Sequence, residues 1–86
     1  MEAAAWYEAR QEGLARRFLA KWKNAEERMT STPELNPTFL DNFRACRFEG
    51  FPYKLIYRIA DSGDLQVIAV MHMKRRPGYW KERSGQ

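Results

Sequence analysis

One stretch constrains the fold more than any other: FPYKLIYRIADSGDLQVIAVMHMKRRPGYW, residues 51–80. It reads as two strands, a tight connection and a basic, aromatic exit. Residues 53–59 alternate, with Tyr53, Leu55, Tyr57 and Ile59 pointing one way and Lys54, Ile56 and Arg58 the other. Asp61-Ser62-Gly63-Asp64 is turn chemistry, and Gly63 is free to take a positive φ. Residues 65–73 follow, apolar at nearly every position, the mark of a strand buried on both faces.

The pairing register follows from which choice gives a uniform face. A two-residue turn at Ser62-Gly63 would place Leu55, Tyr57 and Ile59 beside Gln66 and His72. A three-residue loop, Ser62-Gly63-Asp64, places them beside Leu65, Val67, Ala69 and Met71, and a slip of one residue would scatter that apolar set. The three-residue loop is therefore expected, with Tyr57 facing Ala69, Leu55 facing Met71 and Lys54 facing His72. The opposite face then carries Lys54, Ile56, Arg58, Ile68, Val70, His72 and Lys74. Apolar side chains mixed with cations make that face the place to look for function.

Upstream, residues 2–12 read as a helix opened by Glu2 and three alanines, with Trp6 and Ala9 on one face, and Gly13 ends it. Leu14, Phe18, Trp22, Ala25 and Met29 are spaced 4, 4, 3 and 4 apart, which draws one apolar stripe along a second helix over 14–29. Thr30-Ser31-Thr32-Pro33 stops that helix, and Asn36-Pro37 predicts a single helical turn at Pro37–Leu40 with Asn36 as its N-cap. Residues 42–49 form a strand, bracketed by Gly50 and Pro52. The whole is an α+β domain spanning 1–86: an N-terminal αα-hairpin packed on a three-stranded antiparallel sheet, with a basic tail over 74–86 that frays at Ser84-Gly85-Gln86.

Charge is distributed unevenly. Residues 1–50 hold eight basic and eight acidic side chains; residues 51–86 hold seven and three, which accounts for the net charge of +4. A basic end on a neutral body points to an anionic partner, nucleic acid or acidic protein. One histidine and one cysteine cannot build a zinc site of the usual ligand count, no Gly-rich phosphate loop precedes a helix, and no nucleophilic triad is evident, so no metal or cofactor is expected. Cys46, between Arg44 and Arg47, reads as a small core residue rather than a reactive thiol. A lone cysteine, no apolar run long enough to span a bilayer and no secretory leader fit a cytoplasmic protein.

FPYKLIYRI, a short turn and VIAVMHMKRRPGYW, together with the upstream AAAWYE and GLARRFL, resemble the RelE/ParE toxin superfamily of bacterial type II toxin–antitoxin systems. The ending, His72 followed by Arg75-Arg76-Pro77 and Tyr79-Trp80, resembles its ParE branch more than its RelE branch. The resemblance implies a toxin neutralised by a cognate antitoxin in a hetero-oligomer. The ParE-like ending implies a stoichiometric poison of DNA gyrase, with Lys74, Arg75, Arg76, Tyr79 and Trp80 as target contacts. The alternative is a RelE-like, ribosome-dependent mRNA endonuclease, with Lys54, Arg58, His72, Lys74, Arg75 and Tyr79 as its acid–base and phosphate-holding set. Trp80 stands where RelE-like enzymes tend to have tyrosine, and an indole is no general acid. A third reading is an antitoxin-binding module without toxicity. Lys54, Ile56, Arg58, Ile68 and Val70 are the expected antitoxin contacts, since an acidic amphipathic segment would meet both cations and apolar side chains there. The family usually has a strand before its first helix, whereas this chain begins inside that helix; the sheet is therefore expected to expose an edge or part of an apolar face.

Overall fold

The structure, a computed structural model, describes residues 2–74. Helix α1 spans Glu2–Arg10 and α2 spans Leu14–Ser31; strands β1 (Arg44–Arg47), β2 (Tyr53–Ile59) and β3 (Leu65–His72) form one antiparallel sheet in the order β1-β2-β3. The expected α+β architecture is present. Among the described residues, β3 has no strand on its outer side. The basic tail from Arg75 onward, with Arg76, Tyr79 and Trp80, lies outside the described residues.

The αα-hairpin is closed by one carboxylate. Helix α1 ends two residues earlier than the sequence reading, and Gly13 takes a left-handed φ of 85° between the helices. The Glu8 carboxylate accepts hydrogen bonds from the N–H groups of Gly13 and Ala15, each at 3.1 Å. Those amides belong to the first turn of α2, where no intrahelical acceptor exists. These bonds hold the Glu8 carboxyl below its usual range, the Gly13 bond contributing most.

The stripe on α2 packs as its spacing predicts: Phe18, Ala25 and Met29 are buried, and Leu14 and Trp22 are partly so. Phe18 is fully enclosed and sits at the centre of an aromatic cluster, its ring centroid 5.2 Å from Tyr7, 5.2 Å from Phe51, 5.3 Å from Tyr53 and 5.5 Å from Phe48. Rings at such separations gain edge-to-face attraction beyond their buried area. Helix α1 joins through Ala3, Ala4 and Tyr7 rather than through Trp6 and Ala9. Trp6 is half exposed, with the Arg10 guanidinium 4.3 Å above its ring.

Helix α2 runs two residues past its expected end. Thr32 caps it, its N–H and hydroxyl both donating to the Arg28 carbonyl. Asn36 does not start a helical turn. Its amide instead donates to the carbonyls of Arg28 and Thr32 and to the Tyr57 hydroxyl, and that hydroxyl donates onward to the Pro33 carbonyl at 2.6 Å. The buried Tyr57 thus pins the chain leaving α2. Burial pushes its phenol pKa up.

Residues 37–43, of which Pro37–Leu40 are expected as a helical turn, form a tight hairpin at the sheet edge. Thr38 bridges Arg44 in antiparallel fashion, the Pro37 carbonyl accepts from Ala45 N–H, and Leu40 and Asp41 both hold positive φ, 61° and 56°. Proline at 37 suits this arrangement as well as a helix start, because its carbonyl is what the ladder needs. Strand β1 is correspondingly shorter than the expected 42–49: Asn42 belongs to this turn, and Phe48 to the connection closed by Phe51 N–H on the Phe48 carbonyl.

The β2–β3 register departs from the sequence reading at two points, the loop and a bulge. The loop has three residues but is Asp61-Ser62-Gly63, closed by Ala60 N–H to the Asp64 carbonyl at 2.8 Å. Near it, Ile59 pairs with Leu65 and Tyr57 with Val67, which preserves the expected faces. The register then shifts between Ile56 and Tyr57, leaving Ile68 as an extra residue. Beyond the shift Ile56 pairs with Ala69, Leu55 with Val70, Lys54 with Met71 and Tyr53 with His72. The earlier loop replaces the expected Tyr57–Ala69 pair, and the shift replaces the Leu55–Met71 and Lys54–His72 pairs. An inserted residue reverses the side-chain phase of everything after it. Val70 and His72 move to the helix side, and Met71 moves to the other.

Candidate functional site

Among the described residues, the sheet face away from the helices carries the cations Arg47, Lys54 and Arg58. The ladder pairs Arg47 with Lys54, and strand alternation puts both on the face that carries Ala45 and Ile56. The Lys54 ammonium lies 4.4 Å from the Phe39 ring centroid, and Arg58 Nε donates to Gln66 Oε1 at 2.6 Å. Between these cations sits a second small core. Phe43, Ala45, Ile56 and Met71 are buried, with Phe39 and Ile68 packed against them.

This geometry corrects the expected antitoxin patch. Ile56 is fully enclosed beneath the 37–43 hairpin, so it presents no surface, and Val70 packs into the helix-side core. Lys54, Arg58 and Ile68 remain on the cationic face. Arg47 and the covering rings of Phe39 and Phe43 join them. Strand alternation puts Phe43 and Arg47 on the face of Ala45; Phe39 is not legible there, because a helical turn over Pro37–Leu40 would leave it off the sheet.

The expected acid–base set is split. Lys54 and Arg58 lie on the cationic face. His72 lies on the helix side, its ring 4.9 Å from that of Tyr53 at 80°. Its Nδ1 accepts a hydrogen bond from Lys74 N–H at 3.0 Å, which leaves Nε2 as the protonated nitrogen of the neutral ring. Arg75 and Tyr79 lie outside the described residues. Of the set, the described part does not converge on one point where a 2′-hydroxyl and a phosphate could sit together.

Other reactive groups are occupied structurally. Cys46 is buried, and burial raises its thiol pKa against a smaller opposing pull from Arg28, so it is an inert core residue. Arg44 donates to the carbonyls of Glu34 and Asn36, and Arg28 donates to the Arg47 carbonyl, so both brace the loop and strand around α2. Among the described residues no group of three or more His, Cys, Asp or Glu side chains is placed to hold a metal ion, and no helix is long and apolar enough to cross a membrane.

An αα-hairpin on one face of a small antiparallel sheet, with cations around an apolar centre on the other, makes this an α+β domain of basic character. A family model described as the ParE toxin of type II toxin–antitoxin system, parDE, matches residues 2–77, and the chain belongs to this family. Membership implies a cognate antitoxin as partner. No curated protein and no solved structure matches the chain.

Proposed function

We propose that this chain is a toxin that inhibits DNA gyrase by stoichiometric binding and is neutralised when its antitoxin covers the cationic sheet face. The observation that carries the reading is the placement of His72 across the sheet from Lys54 and Arg58. A metal-free ribonuclease needs a base, an acid and phosphate-holding cations around one scissile bond. A binding protein needs only complementary surface, and the two faces are free to serve different partners.

On this reading Arg47, Lys54, Arg58 and Ile68 receive an acidic, amphipathic antitoxin segment. Lys74 and the residues Arg75, Arg76, Tyr79 and Trp80 dock on the target. Lys54→Ala with Arg58→Ala should weaken antitoxin affinity, and the remaining affinity should depend less steeply on salt than that of the parent chain.

Two assays on the purified chain test the proposal: supercoiling by gyrase, and mRNA cleavage on programmed ribosomes. Gyrase inhibition at stoichiometric toxin, without mRNA cleavage, is the expected result. Ribosome-dependent cleavage with gyrase unaffected would overturn it in favour of the endonuclease, and activity in neither assay would favour a binding module without toxicity.

A further inference from the structure

The helix side of the sheet holds a second candidate site, remote from the cationic face. Where the first turn of α1 meets the start of β2 and the end of β3, an open pocket of about 480 Å³ is lined by Glu2, Trp6, Tyr7, Tyr53 and His72, together with Ala3 and Pro52. Its rings stand as successive perpendicular walls. Trp6 and Tyr7 meet at 83° with centroids 5.1 Å apart, Tyr7 and Tyr53 at 72° and 6.5 Å, and Tyr53 and His72 at 80° and 4.9 Å.

The electrostatics of this box are opposite to those of the rest of the molecule. The chain carries a net charge of +4, yet among the described residues the lining contains a carboxylate and no lysine or arginine. Aromatic faces are negative by their quadrupole and attract cations. The Trp6 ring shows this attraction within the chain: the Arg10 guanidinium, itself outside the lining, rests 4.3 Å from its centroid. Burial raises the Tyr7 phenol pKa, with a smaller contribution from the neighbouring Tyr53. The positive end of the α1 dipole favours an anion here, but α1 has only nine residues and Glu2 in its first turn offsets that end.

We propose that this aromatic box is a docking site for a guanidinium or ammonium side chain presented by a partner protein. The charge complementarity selects a cation, and the open mouth suits a side chain carried on a polypeptide better than a sequestered metabolite. The proposal is independent of which target the toxin inhibits. It gives the molecule a second contact of opposite sign: acidic groups of partners meet Arg47, Lys54 and Arg58 on one face, and a basic group meets the box on the other.

The test is a titration of the full-length, ¹⁵N-labelled chain with acetyl-arginine amide, using acetyl-citrulline amide as the neutral, nearly isosteric control. The Trp6 indole N–H and the His72 ring are the reporters, with Trp6→Ala identifying the indole signal. The expected result is saturable shifts at both reporters with arginine at millimolar concentration, and citrulline binding weaker by about fivefold or more. Glu2→Gln should weaken the arginine response while leaving the citrulline response in place. Trp6 is half exposed, so its replacement should leave the fold intact, which thermal unfolding checks. Equal responses to arginine and citrulline, an arginine response unchanged by Glu2→Gln, or no saturable shift would each overturn the proposal.

Discussion

The two sides of the sheet are built differently. On the helix side, one core gathers Phe18, Phe48, Leu55 and Tyr57 under two helices whose periodicity announces them. On the other, a smaller core of Phe43, Ala45, Ile56 and Met71 lies beneath a seven-residue hairpin, 37–43, that has no helical stripe behind it. The first side is made by regular elements of strong pattern. The second is made by a turn with two left-handed non-glycine residues and by a one-residue bulge. The difference teaches that function-bearing surface is set by the irregular features, because these decide which strand residues are covered and which are not.

The largest expected effect separates the two cores. Phe18→Ala removes the ring at the centre of the helix-side cluster and should cost about 3–5 kcal/mol in urea unfolding. Phe43→Ala, at the rim of the smaller core and 8% exposed, should cost less, about 1–3 kcal/mol. Equal losses would break the comparison. A smaller effect tests the link between the sides. Tyr57→Phe leaves the Pro33 carbonyl without its donor and the Asn36 amide without one acceptor, at about 1–2 kcal/mol, and should raise amide exchange across residues 33–45 more than within α1.

How much of this was legible in the sequence depends on whether the pattern had a period. The stripe of Leu14, Phe18, Trp22, Ala25 and Met29 repeats at helical spacing and admits one solution, so α2 and the helix-side core could be read directly. The hairpin was legible in its turn chemistry, since Gly63 takes the positive φ that its position predicted. The bulge was not. LQVIAVMH offers apolar side chains in both phases, so either register buries hydrophobic surface, and no glycine or charge marks Ile68 as the extra residue. Pro37 misled for a related reason: a proline after asparagine fits a helix start and a strand edge equally, and only Ala45, eight residues on, decides between them. For the candidate site, Lys54, Arg58 and Ile68 were placed on the surface they occupy. Ile56 shares that face but lies covered by the 37–43 hairpin, and Val70 and His72 change faces at the bulge.

Strain in the cover gives a further, smaller test. Leu40 holds a φ of 61°, which costs an L-residue about 1–2 kcal/mol, partly offset in a glycine variant by added chain entropy. Leu40→Gly should therefore stabilise the chain slightly, by about 0.5–1 kcal/mol, whereas Gly13→Ala at a φ of 85° between the helices should destabilise it.

The smallest effect is electrostatic and belongs to the helix side alone. The Glu8 carboxyl is depressed in the folded chain by its bonds to Gly13 and Ala15. A depressed carboxyl contributes stability that is present above its unfolded value, here the ordinary 4.5, and is lost as pH falls through the lower folded value. Amide exchange at Gly13 and Ala15 should accelerate relative to the rest of α2 in that acid range, and Glu8→Ala should abolish the pH dependence.

The central claim is that the bulge at Ile68 carries His72 to the helix side, away from Lys54 and Arg58. Nuclear Overhauser contacts from the His72 ring protons test it directly. The structure predicts strong contacts to the Tyr53 ring and none to Phe39 or the Lys54 side chain. Contacts from His72 to Phe39 or Lys54, with Met71 contacting the helix-side core, would contradict the claim and bring the acid–base set back together on one face.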